Sequence, residues 1–79
     1  MKANRAYRLI VRRGGIGPAW LAGPDRLDHI EVVDIESGEV ELFWDAPPRD
    51  AGRILRALRA DLAALEAEEF VDRWRGLTP

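Results

Sequence analysis

Residues 29–45 read HIEVVDIESGEVELFWD, and no other part of the chain restricts its fold as tightly. Two runs that mix apolar and acidic residues flank Glu36-Ser37-Gly38, the pattern of a β-hairpin with a short glycine-containing loop. A type I turn over Glu36 and Ser37, closed by Gly38 in a left-handed conformation, sets Ile35 opposite Glu39. Pairing then runs Asp34–Val40, Val33–Glu41, Val32–Leu42, Glu31–Phe43, Ile30–Trp44 and His29–Asp45. Successive side chains leave a strand on opposite sides. One face therefore collects Ile30, Val32, Val40, Leu42 and Trp44, with Asp34 as its polar member, and is the predicted core face. The other sets Val33, Ile35 and Phe43 among His29, Glu31, Glu39, Glu41 and Asp45. A sheet face turned to water is ordinarily almost all polar. This one is about half apolar, so something is expected to cover it. A slip of one residue would exchange the two faces, which makes the turn decisive.

Residues 6–13, AYRLIVRR, alternate as a further strand rich in β-branched and aromatic side chains. Tyr7, Leu9 and Val11 take one side; Arg8, Ile10 and Arg12 take the other. Beside the hairpin, Arg8 and Arg12 are expected on the outer face near Glu31 and Glu41, and Ile10 enlarges the apolar patch there. Residues 14–24 hold four glycines and two prolines and form a loop, with a short extended piece over residues 19–22 as a candidate fourth strand and Trp20 folded back on the core. Gly15-Ile16-Gly17 is followed by no helix and by no Lys-Ser or Lys-Thr pair, so a phosphate-binding loop is not indicated.

Pro47 and Pro48 end the hairpin. A helix over residues 49–67 follows, with Asp50 at its N-cap or in its first turn. Ala51, Ile54, Leu55, Leu58, Leu62 and Leu65 fall on one stripe of it. Its length of roughly 25 Å matches a strand of roughly 23 Å, so it is expected along the core face, with Gly52 permitting a close approach. Beyond Leu65 the pattern changes phase. A continuous helix would bury Glu69 and turn Phe70, Val71 and Trp74 away. A separate helical segment is therefore predicted over residues 68–75, ended by Gly76, packing on its own sheet or on a partner chain. The fold class is α+β: one domain over residues 1–79, a three-stranded antiparallel sheet (strands 6–13, 28–35 and 39–45, with the fourth piece left open), one long C-terminal helix on one face, and a short terminal helix.

Charge is segregated along the chain. Residues 1–26 hold six basic groups and one acidic, residues 27–47 seven acidic and no basic, and residues 48–79 six of each. A basic first strand beside an acidic hairpin accounts for this locally. Eleven arginines against one lysine suit a GC-rich bacterial genome or a warm habitat. No cysteine is present, so disulfides and thiolate metal sites are excluded. No run approaches the roughly 18 apolar residues of a membrane span, and the cytoplasm is the expected location.

Nucleophiles are scarce. Ser37 sits in the turn, Thr78 and Lys2 at the ends, and none has a histidine in a plausible triad. The chain is expected to be no enzyme and to carry no cofactor. His29, the one histidine, shares the outer face with Glu31 and Asp45, the weak candidate for a divalent metal site; a cross-strand hydrogen bond from His29 to Asp45 is the simpler expectation. Two functional readings follow. In the first the protein is a self-association or interaction module, a homodimer or a partner of another protein, with Ile10, Val33, Ile35, Phe43, Phe70, Val71 and Trp74 as interface. In the second it binds single-stranded nucleic acid, with Arg8, Arg12, Arg13, Arg53 and Arg56 on phosphates and Phe43 or Trp20 stacking on bases. A pI near 5.3 and the acidic hairpin weigh against the second.

Overall fold

The computed structural model describes residues 1–12 and 27–77. A short helix α1 (Ala3–Ala6) leads into β1 (Tyr7–Arg12). The hairpin is β2 (Asp28–Asp34) and β3 (Val40–Ala46), followed by helices α2 (Pro48–Ala64) and α3 (Ala67–Arg75). The strands form one antiparallel sheet in the order β1-β2-β3, the expected α+β architecture. Arg13, the loop of residues 14–24 with its extended piece, and Trp20 lie outside the described residues.

The hairpin keeps its expected register over most of its length but turns differently. His29 pairs with Asp45, Ile30 with Trp44, Glu31 with Phe43 and Val32 with Leu42, as the alternation requires. The loop, however, is one residue longer than expected. Gly38 N–H donates to Asp34 O at 2.8 Å and Asp34 N–H to Glu39 O at 2.8 Å, so the loop is Ile35–Gly38, with Gly38 at φ +77°. The carboxylate of Asp34 accepts from the backbone N–H of Glu36 (2.8 Å) and Ser37 (3.2 Å), which stabilises that longer loop. Val33 then pairs with Val40, and Glu41 is an extra residue, a β-bulge that restores the register at Val32. Two expectations are corrected by this bulge. Val40 leaves the core face and is 47% exposed. Glu41 leaves the outer face, and its carboxylate accepts from Arg75 of α3 at 3.3 Å.

The predicted single helix over residues 49–67 ends early. Leu65 and Glu66 are extended (ψ 156° and 157°), and α3 starts at Ala67. A break exposes backbone groups that need partners, and the N-terminal residues supply them. Ala3 N–H donates to Leu65 O (3.0 Å), Ala67 N–H to Met1 O (2.9 Å) and Lys2 Nζ to Ala64 O (3.1 Å). The redirected α3 lays Phe70, Val71 and Trp74 on the sheet beside Leu58 and Leu62, and all five side chains are buried. Tyr7 and Phe70 stack at 5.8 Å between ring centroids, and Trp44 meets Trp74 edge-on at 5.6 Å. Trp74 Nε1–H donates to Asp61 of α2 at 2.8 Å, tying the two helices together. Gly52 makes no close approach: a Cβ there would meet only Arg56 Nη1, at 3.8 Å. Gly76 caps α3 in an ordinary right-handed conformation (φ −71°) rather than a left-handed one. Among the described residues no helix is long and apolar enough to cross a membrane.

Candidate interaction surface

Both long helices lie against the sheet face that carries Ile30, Val32, Leu42 and Trp44. The opposite face has no helix on it among the described residues, and its side chains follow from the register. Directly paired residues of antiparallel strands share a face. Three rows therefore cross it from β1 through β2 to β3: Arg12–His29–Asp45, Ile10–Glu31–Phe43 and Arg8–Val33–Val40. The bulge matters here, because it removes the Glu41 carboxylate from this surface and presents Val40 in its place. Ile10 and Val33 are half-buried by their neighbours, whereas Phe43 is 56% and Ile35, at the loop end, 48% exposed. A shallow hollow of about 150 Å³ lies beside Arg8, Ile10, Val33 and Ile35.

The charges on this face are chained together. Arg12 Nη2 lies 3.8 Å from Glu31 Oε1, and His29 Nε2 lies 3.6 Å from Glu31 Oε2. His29 Nδ1 is 2.6 Å from Asp45 Oδ1, and the His29 ring lies 6.0 Å from that of Phe43. The hydrogen bond to Asp45 raises the His29 pKa above its ordinary value, against a smaller opposing effect of burial. Glu31 is the most covered of these groups, with its side chain 14% exposed.

The structure sorts the residues expected to function. Ile10, Val33 and Phe43 share this face, and Ile35 borders it. Phe70, Val71 and Trp74 do not belong to it. They are 0%, 8% and 7% exposed in the chain's own core, because the break at Leu65 turned their stripe onto the sheet. The candidate metal residues do not converge. The two nitrogens of His29 point from opposite edges of its ring at two different carboxylates, and among the described residues no group of three acidic or histidine side chains could hold a metal ion. Of the arginines considered for phosphate contacts, Arg8 and Arg12 lie on the outer face. Arg53 and Arg56 are on exposed positions of α2, the helix that covers the other side, and Arg53 Nη2 is bonded to Asp50 Oδ1 at 2.6 Å. Arg13 and Trp20 are outside the described residues. Val40 is the surface residue that the alternation missed. Its signal was Asp34, since an aspartate at the first position of a turn commonly bonds to the backbone two residues on, and so marks where a loop starts.

The family models, the curated proteins and the solved structures compared with this chain include none that matches it.

Proposed function

We propose that this protein is a small non-enzymatic self-association module, whose outer sheet face pairs with the same face of a second copy. The observation that carries this reading is the second row with its neighbours. Ile10, Phe43, Val33 and Val40 stand on three neighbouring strands around Glu31, on a face with no helix over it among the described residues. Apolar patches of this kind on small domains mark contact surfaces, and a chain of 79 residues gains much from association because its own core is thin. A second copy suits the face better than a strongly charged partner, because the face carries both signs: Arg8 and Arg12 on β1, Glu31 and Asp45 on β2 and β3. The same mixture disfavours single-stranded nucleic acid, whose phosphates would meet Glu31 and Asp45 beside the two arginines.

Light scattering at about 100 μM is the test, since a face this small is suited to micromolar association. The expected result is a dimer mass for the native chain and a monomer mass for Phe43→Glu. A native monomer at that concentration, or a Phe43→Glu dimer, would remove the reading.

A further inference from the structure

The charge pattern on the outer face goes further, and assigns the symmetry of the pair. This step rests on the self-association reading. Two copies meeting face to face through one surface are related by a twofold axis lying in the contact plane. Two orientations of that axis differ sharply in what they bring together. An axis across the strands lays β1 on the partner's β1 and β3 on the partner's β3. Arg8 and Arg12 of one copy would then oppose the partner's Arg12 and Arg8, while each Asp45 would face an aliphatic side chain. An axis along the strands, through β2, turns each row end for end onto itself. Arg12 then faces the partner's Asp45, Ile10 faces the partner's Phe43, and Val33 faces the partner's Val33.

We infer that the axis runs along the strands, with the basic edge strand β1 of each copy over the acidic edge strand β3 of the other. Four features agree with it. Like charges placed opposite each other across an interface are strongly disfavoured, and only this orientation separates the arginines. Stacked sheets lie about 10 Å apart, a gap that a long arginine side chain spans towards a short aspartate. Phe43, the most exposed side chain of the patch, comes against Ile10 at the edge of the hollow of about 150 Å³. Arg8 lays its aliphatic stem on the partner's Val40, the residue that the bulge turned outward. The like-charge meetings are both at the axis, Glu31 with the partner's Glu31 and His29 with the partner's His29. Each of these carboxylates already has Arg12 at 3.8 Å and His29 at 3.6 Å within its own copy. Sheet twist makes such packings cross at about 30°, so the fit is best at the central row.

The area sets the strength. Three strands about 4.8 Å apart and six residues long project to about 300 Å² per copy, which is below the roughly 800 Å² per partner of stable specific interfaces and belongs with weak, transient ones. The dimer is therefore a weak and exchanging one, which makes a mixing experiment practical. Arg12→Glu and Asp45→Arg are made separately, checked for native circular dichroism, and examined by sedimentation alone and mixed in equal amounts. Each alone is expected to weaken the dimer at least about tenfold, because each puts two like-charge pairs across the axis. Mixed, they are expected to recover a dimer, because one contact becomes the reversed pair and the other stays native. Changes within a single chain cannot be repaired by mixing, which removes the loss of the Arg12–Glu31 and His29–Asp45 contacts as an explanation. If Arg12→Glu tightens the dimer, or if mixing restores nothing, the axis assignment falls while the face stands, provided Phe43→Glu still dissociates the native pair. If Phe43→Glu leaves the mass unchanged, the face itself is wrong. A native chain that is monomeric at about 100 μM would overturn both.

Discussion

The two faces of this one sheet meet their surroundings in different ways. Inward, Ile30, Val32, Leu42 and Trp44 are each less than a tenth exposed, and they pack against Leu58, Leu62, Phe70 and Trp74 from two helices. Outward, apolar side chains of similar size sit in rows with Arg12, His29, Glu31 and Asp45, and Phe43 is more than half exposed. Apolar content alone did not decide which face became the core. Continuity did: Ile30, Val32, Leu42 and Trp44 adjoin with no charge between them, and the acids of the inner β2 column, Asp28 (3% exposed) and Asp34, stand at its two ends. The outer face could not be covered by an apolar helix without taking the Arg12–Glu31 and His29–Asp45 pairs out of water, and desolvating ion pairs is costly. It suits a surface that carries matching charges of its own.

The sharpest way to break this contrast is to remove one aromatic ring from each face. Phe70→Ala is expected to cost about 3–5 kcal/mol. That is a large part of the roughly 4–12 kcal/mol that a chain of this size has in total. Phe43→Ala in dilute protein should change stability by no more than about 0.5 kcal/mol. Urea unfolding at low micromolar concentration measures both. Similar losses would show that the outer face is already packed within a single chain.

A second comparison sets a buried polar contact against an exposed one. Asp61 accepts the indole N–H of Trp74 at 2.8 Å, and Trp74 is 7% exposed. Asp61→Ala leaves that donor without a partner and should cost about 1–3 kcal/mol. Arg53 and Asp50 are as close, at 2.6 Å, but both side chains are at least half exposed. Arg53→Ala should therefore cost less than about 0.5 kcal/mol. If the two variants unfold at the same urea concentration, α3 is not held to α2 by Asp61.

How much of this was legible beforehand follows the range of the interactions. The inner face and the antiparallel hairpin rest on period-two alternation, a local signal, and Ile30, Val32, Leu42 and Trp44 are buried as that signal requires. The phase change after Leu65 was visible as a misplaced Glu69, and it marks a real break. The partner of the break was not visible, because nothing local in Met1, Lys2 and Ala3 says that they will bond to residues more than sixty positions away. The position of Val40 failed for a finer reason. Three-residue and four-residue loops ending in glycine look alike from the outside, and only the Asp34 carboxylate distinguishes them. With the loop one residue longer, the bulge at Glu41 recovers the register of the core. The outer surface is then the part that changes, and the reading of function depends on that surface.

The covered side of the molecule also holds a small test in the opposite direction. Gly52 of α2 lies under no close neighbour, since a Cβ there would have only a guanidinium nitrogen at 3.8 Å. Gly52→Ala should stabilise the chain by about 0.5–1 kcal/mol through helix propensity. A loss instead would mean that α2 sits closer to the sheet than its backbone suggests.

The smallest effect belongs to the outer face and depends on pH. The hydrogen bond to Asp45, 2.6 Å from Nδ1, raises the His29 pKa above its ordinary value. A raised value in the folded state means that folding is linked to holding the proton. The stabilisation is complete below the unfolded pKa of about 6.5, and is lost as the pH rises through the higher folded value. With the His29 side chain 32% and that of Asp45 52% exposed, solvent screening keeps the pair within the range of exposed ion pairs, about 0.2–1 kcal/mol. In dilute protein, native and Asp45→Asn chains should therefore differ most in urea midpoint below the unfolded pKa of about 6.5 and draw together as the pH rises through the raised folded value. A gap that widened with pH would mean that the fold holds His29 neutral. The row Arg12–His29–Asp45 would then carry one positive charge fewer than its geometry implies, and Asp45 would be freer to receive Arg12 from a second copy.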